Sequence, residues 1–153
     1  MNRVAMDAAA GAAGGLAGTV AMSVVMLAAR QSGFLGEAPP RRITDRLLEG
    51  VGLGHLDRRA KDAIAVASHM AYGIGFGALF GLARRRLPER VPPAAAGALA
   101  GLAVWAASYE GWVPALGLMP PPERDRPGRP MSMVVAHLVY GAVAGAVAQR
   151  IGA

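Results

Sequence analysis

The chain contains no cysteine, so it can form neither a disulfide framework nor a thiolate metal site. Aromatic residues make up only 5 % of its 153 positions, and no basic stripe is interleaved with them; the formal net charge of +6 therefore does not point to nucleic acid. Charge is absent altogether from four stretches, residues 8–29, 63–83, 91–109 and 131–148. These stretches also lack the polar stripe, recurring every three to four residues, of a helix that faces water on one side. Catalytic signatures are missing too. There is no HExxH, no nucleophile elbow, no phosphate-binding glycine loop and no pair of carboxylates within an apolar stretch. Neither an enzyme nor a metal centre is expected.

What is present is apolar length. At 1.5 Å rise per residue, about 20 apolar residues cross a hydrocarbon layer roughly 30 Å thick. The expected fold is all-α: a single membrane domain over 1–153, with four transmembrane helices at about 8–29, 63–83, 92–112 and 131–149. Arginines gather in the loops beside these spans, where basic residues serve orientation and lipid headgroups.

The spans are related in pairs. AAGGLAG at 12–18 matches AAGALAG at 95–101 in six of seven positions, and H-x-x-Y-G-x-x-x-G occurs at 69–77 and again at 137–145. This predicts a duplicated helix-loop-helix hairpin, its halves related by an axis along the membrane normal. Both hairpin loops run through a proline pair into arginines, at 33–42 and 117–126. The first polar loop, 30–62, is longer. Apolar residues at helical spacing within it predict either a short amphipathic helix over 43–50 in the headgroup region or a solvated loop with one helical turn.

Each span carries a G-x-x-x-G: Gly14 and Gly18, Gly73 and Gly77, Gly97 and Gly101, Gly141 and Gly145. Lipid tails are as apolar as leucine, so helices in a bilayer associate by close backbone approach at such small residues. Four pairs predict a tight bundle, a homo-oligomer or a contact with another membrane protein. His69 and His137 fall on these glycine stripes and are expected to face protein, with Tyr72 and Tyr140 at the edge. Glu110, read as the one acidic residue close to a span, is expected near the same membrane face, between Tyr109 and Trp112 in an aromatic belt.

The stretch VPALGLMPPPERDRPGRPMSMVVAHLVYG at 113–141 resembles the family of small bacterial inner-membrane proteins that includes YagU, through Gly117, Leu118, Pro120, Pro121, Pro127, His137, Leu138 and Val139. SHMAYGIGFGALFGLARRRLP at 68–88 resembles that family's earlier histidine-bearing helix. The resemblance implies a multi-pass protein of the inner membrane with cytoplasmic termini and a loose link with acid tolerance. It implies no catalytic residues. Three functional readings follow. In the first the protein is structural or accessory, its histidines and tyrosines acting as interhelical glue at about 0.6 kcal/mol each. In the second it is a proton-linked transporter or pH-responsive element using His69, Tyr72, Glu110, His137 and Tyr140. In the third it binds haem b through His69 and His137.

Overall fold

In a computed structural model, which describes residues 2–88 and 90–152, the chain is all-α. Helix α1 spans Arg3–Gln31, and Asn2 caps it by accepting from the Ala5 amide at 2.8 Å. Helix α2 spans Pro39–Gly50. Helix α3 spans Arg58–Ala83 and is capped by Asp57, which accepts from the Ala60 amide at 2.8 Å. A 3-10 turn at Arg84–Arg86 ends it. Helix α4, Pro93–Trp105, runs into a π-helical segment, Ala106–Trp112, and a closing turn, α5, Val113–Ala115. Helix α6 spans Arg129–Gly152.

Three helical stretches, Arg3–Gln31, Arg58–Arg86 and Arg129–Gly152, are long and apolar enough to cross a membrane. The segment expected as a regular span at 92–112 is not an unbroken α-helix. Its last part is π-helical, with Gly111 at φ −96° and ψ −106°. The cause is Pro114, which has no amide proton to give and whose ring crowds the carbonyl four residues earlier, at Glu110. Glycine at 111 takes up the distortion.

The amphipathic helix also differs from expectation. It begins four residues before 43, at the proline pair of the loop. Proline suits the first helical positions, where the amide proton is unused. Its apolar face does not lie free: α2 packs on α3.

The helices stand in the order α3, α1, α6, α4, each packed on the next, while α3 and α4 scarcely touch. The duplication predicted two equivalent halves. Glycine use explains why they differ. Two stripes interleave on α1. A Cβ on Gly11 or Gly15 would fall on the carbonyl oxygen of Gly77 or Gly73 of α3, and one on Gly14 or Gly18 on that of Ala144 or Tyr140 of α6. The stripes lie about 60° apart around the helix, so α1 admits a neighbour on each. Helix α4 has one stripe. Gly97 and Gly101 meet the carbonyl oxygens of Gly141 and His137, and alanines at 94 and 98 stand where α1 has Gly11 and Gly15. Nothing is left on α4 to admit α3.

All eight glycines expected at packing seams lie at such crossings, within one chain. They provide no argument for a second copy.

Candidate functional site

Where α3 and α4 stand apart, the bundle holds a chamber of about 300 Å³. Its walls come from α1, α3, α6 and the α4–π segment, and α2 closes one side with Pro39, Ile43 and Leu47. Among the described residues, no Asp, Glu, Lys or Arg lines it. Aromatic rings do. Tyr72 lies 4.7 Å from Phe76 and 6.3 Å from Trp112, ring centre to ring centre. The Trp112 indole Nε1–H donates to the Tyr72 hydroxyl at 3.3 Å.

Both histidines and both tyrosines of the repeated motif line this chamber. His137 is buried, at 7 % exposure, and its Nδ1 lies 2.8 Å from the Met133 carbonyl oxygen. A carbonyl only accepts, so in the neutral ring Nδ1 carries the proton and Nε2 is left as an acceptor. His69 is half-buried, and its Nε2 is covered without a hydrogen-bond partner. The Tyr140 hydroxyl donates to the Gly73 carbonyl at 2.7 Å, joining α6 to α3.

Three of the four aliphatic hydroxyls among the described lining residues, all but that of Thr44, are committed as donors within their own helices. Thr19 donates to Gly15 at 2.7 Å, Ser68 to Ile64 at 2.7 Å and Ser108 to Val104 at 2.6 Å, each a carbonyl one turn back on the same helix. The imidazoles and the hydroxyls of Tyr72 and Thr44 are therefore the lining groups with hydrogen-bonding capacity to spare.

Glu110 is not part of this site. It is exposed and does not line the chamber, because the π segment turns its side chain away from the face carrying Ser108, Tyr109 and Trp112. Nor is it the one acid near the spans. Asp7 pairs with Arg85 at the opposite end of the bundle, and Asp125 lies beside the chamber wall. The Tyr109 hydroxyl donates to Asp125 at 2.5 Å, and Arg129 Nη1 donates to the same carboxylate at 2.6 Å. Arg129 Nε donates to the Leu35 carbonyl at 2.9 Å, tying the first hairpin loop to the second. Gly36 lies close to Arg126 and Arg129 with φ +68°, where a side chain would be both strained and crowded. This latch was missed, although the i, i+4 spacing of Asp125 and Arg129 was a usable signal.

The residues do not fit haem. The Tyr140 ring and its bond to Gly73 occupy the α3–α6 space one turn beyond both histidines, and no cationic side chain among the described residues lines the chamber to meet propionates.

A family model described as a family of unknown function, DUF6789, matches residues 5–153, and the chain belongs to that family. No curated protein and no solved structure matches it.

Proposed function

We propose that this chain is a multi-pass inner-membrane protein whose role is accessory: it holds a small molecule within the bilayer and does not transform it. Four segments cross, the fourth being the bulged stretch 93–115. Support for the membrane reading comes from the outer surface, where Leu16, Val20, Val24 and Leu27 of α1, Leu79 of α3 and Leu99 of α4 are exposed. Apolar surface of that extent is not left to water by a monomeric protein. The resemblance noted in the sequence supports cytoplasmic termini.

One observation carries the binding reading, the uncharged chamber of about 300 Å³ inside a bundle whose α1–α3, α1–α6 and α4–α6 crossings are closed by glycine contacts. Helices that existed only to pack would close on each other, and the glycines show that they can. The chamber is the size and character of a small-ligand site, concave, mostly apolar and carrying a few convergent polar groups. A proton relay is less well supported, since the acid it required, Glu110, is outside the chamber.

Native mass spectrometry of the protein, gently released from its host's membranes in mild detergent, tests this reading. The expected spectrum contains a population carrying one small molecule. Thr44→Trp, which fills the chamber from the α2 side, is expected to abolish it. Wild-type protein that is invariably empty would overturn the reading.

A further inference from the structure

Resting on the binding reading above, we infer that the chamber takes an uncharged phenolic compound dissolved in the bilayer, its hydroxyl donating to the His137 imidazole. Charge is the first filter. With no ionised side chain among the lining residues described, a carboxylate, phosphate or amine would enter unpaired, which costs far more than ring burial returns. Shape is the second. Tyr72 and Phe76 of α3, Tyr109 and Trp112 of the π-helical segment and Tyr140 of α6 line the wall, and aromatic walls favour a flat aromatic guest by offset or edge-to-face contact.

Hydrogen bonding narrows the class further. The Met133 carbonyl holds the His137 proton on Nδ1, 2.8 Å away, so Nε2 offers a lone pair. Thr19, Ser68 and Ser108 have given their protons to their own helices. None of these three is left to give Nε2 a proton, and a guest that carries one can. A phenolic hydroxyl supplies it, and its oxygen can in turn accept from the Tyr72 hydroxyl, which itself accepts from Trp112 at 3.3 Å. A ketone or ether of the same outline supplies no proton and leaves the imidazole unsatisfied.

Size and access agree. About 300 Å³ is at the lower end of ligand pockets, suited to one substituted ring. Past Phe76, Val104 and Tyr140 the space narrows into an apolar groove between Phe80 of α3 and Ala100 of α4, floored by Ala144. A small alkyl substituent on the guest's ring would point into it. The sparse α3–α4 contact places the approach route on the side of the bundle that faces lipid.

The test uses the full chain in lipid nanodiscs with Trp105→Phe, leaving Trp112 in the chamber wall as the one tryptophan. Two probes are titrated, a bromophenol bearing a pentyl chain and its methyl ether; bromine quenches tryptophan on contact. The expected result is saturable quenching by the phenol, with the ether weaker by about tenfold, the effect of one buried hydrogen bond left unmade. His137→Leu is expected to erase that difference, and Thr44→Phe, which fills the chamber without adding a tryptophan, to remove quenching by both. Equal binding of phenol and ether, blocked by Thr44→Phe, would overturn the phenolic class while leaving the binding reading intact. Quenching by neither probe overturns the inference, and the mass spectrum then decides separately whether anything is bound. The phenol–ether comparison on the parent protein decides the matter even where His137→Leu does not fold.

Discussion

Arg129 carries a full charge at 4 % exposure, and its Nη1 lies 2.6 Å from the almost fully covered Asp125 carboxylate. Breaking such a pair leaves one buried charge alone. Arg129→Met is therefore expected to destabilise the protein by about 3–5 kcal/mol in a reversible unfolding titration in mixed micelles. Tyr140→Phe removes one neutral interhelical bond, to Gly73, and is expected to cost only about 0.6 kcal/mol in the same titration. A larger loss for Tyr140→Phe than for Arg129→Met would show that the bundle, not the latch, carries the polar stability. The two residues also differ in how far the sequence disclosed them. Tyr140 sits in a motif that repeats, so its inward position could be read from its glycine neighbours. Arg129 lies in a run of prolines and charges that reads as a solvated loop. Only the approach of Leu35, fully buried and distant in sequence, makes its position an interior one.

Helix α1 and helix α4 share six of seven residues over their matched stretch, and the seventh decides the architecture. Gly15 lets α3 reach α1, whereas Ala98 at the matching place gives α4 no second seam. Gly15→Ala puts a methyl group on the Gly73 carbonyl and is expected to push α3 off α1, at about 1–3 kcal/mol. Gly75→Ala is the control. A Cβ there meets nothing within 4 Å, and the exposed helical site gains up to about 1 kcal/mol from alanine's propensity. Melting temperatures followed by circular dichroism should fall for the first and hold or rise for the second. Equal responses would remove the seam argument. The existence of the long apolar helices was legible, because charge-free length and small-residue spacing are local properties, whereas the charged segment 43–50 read equally as a helix or a solvated loop. The break of symmetry was less so: Gly11 and Gly15 form a second G-x-x-x-G that is visible in the sequence, but its consequence depends on which neighbour each stripe meets. The π segment was hidden for a similar reason, since Pro114 lies just beyond the apolar run that it distorts.

At the scale of the whole molecule, the row α3, α1, α6, α4 leaves one lateral opening, and the two hairpin loops share the end of the bundle that holds the chamber. The proposed membrane arrangement has four crossings, with 93–115 spanning despite its bulge. Because the chain lacks cysteine, single cysteines at Arg3, Ser32, Leu87, Glu123 and Gln149 can each be tested in intact cells with a membrane-impermeant maleimide. Four crossings put Ser32 and Glu123 outside, labelled, and Arg3, Leu87 and Gln149 inside, protected until the cells are opened. If 93–115 does not cross, Glu123 falls on the same side as Leu87 and Gln149 on the side opposite Arg3. That pattern would contradict the account, and with it the route from lipid into the chamber.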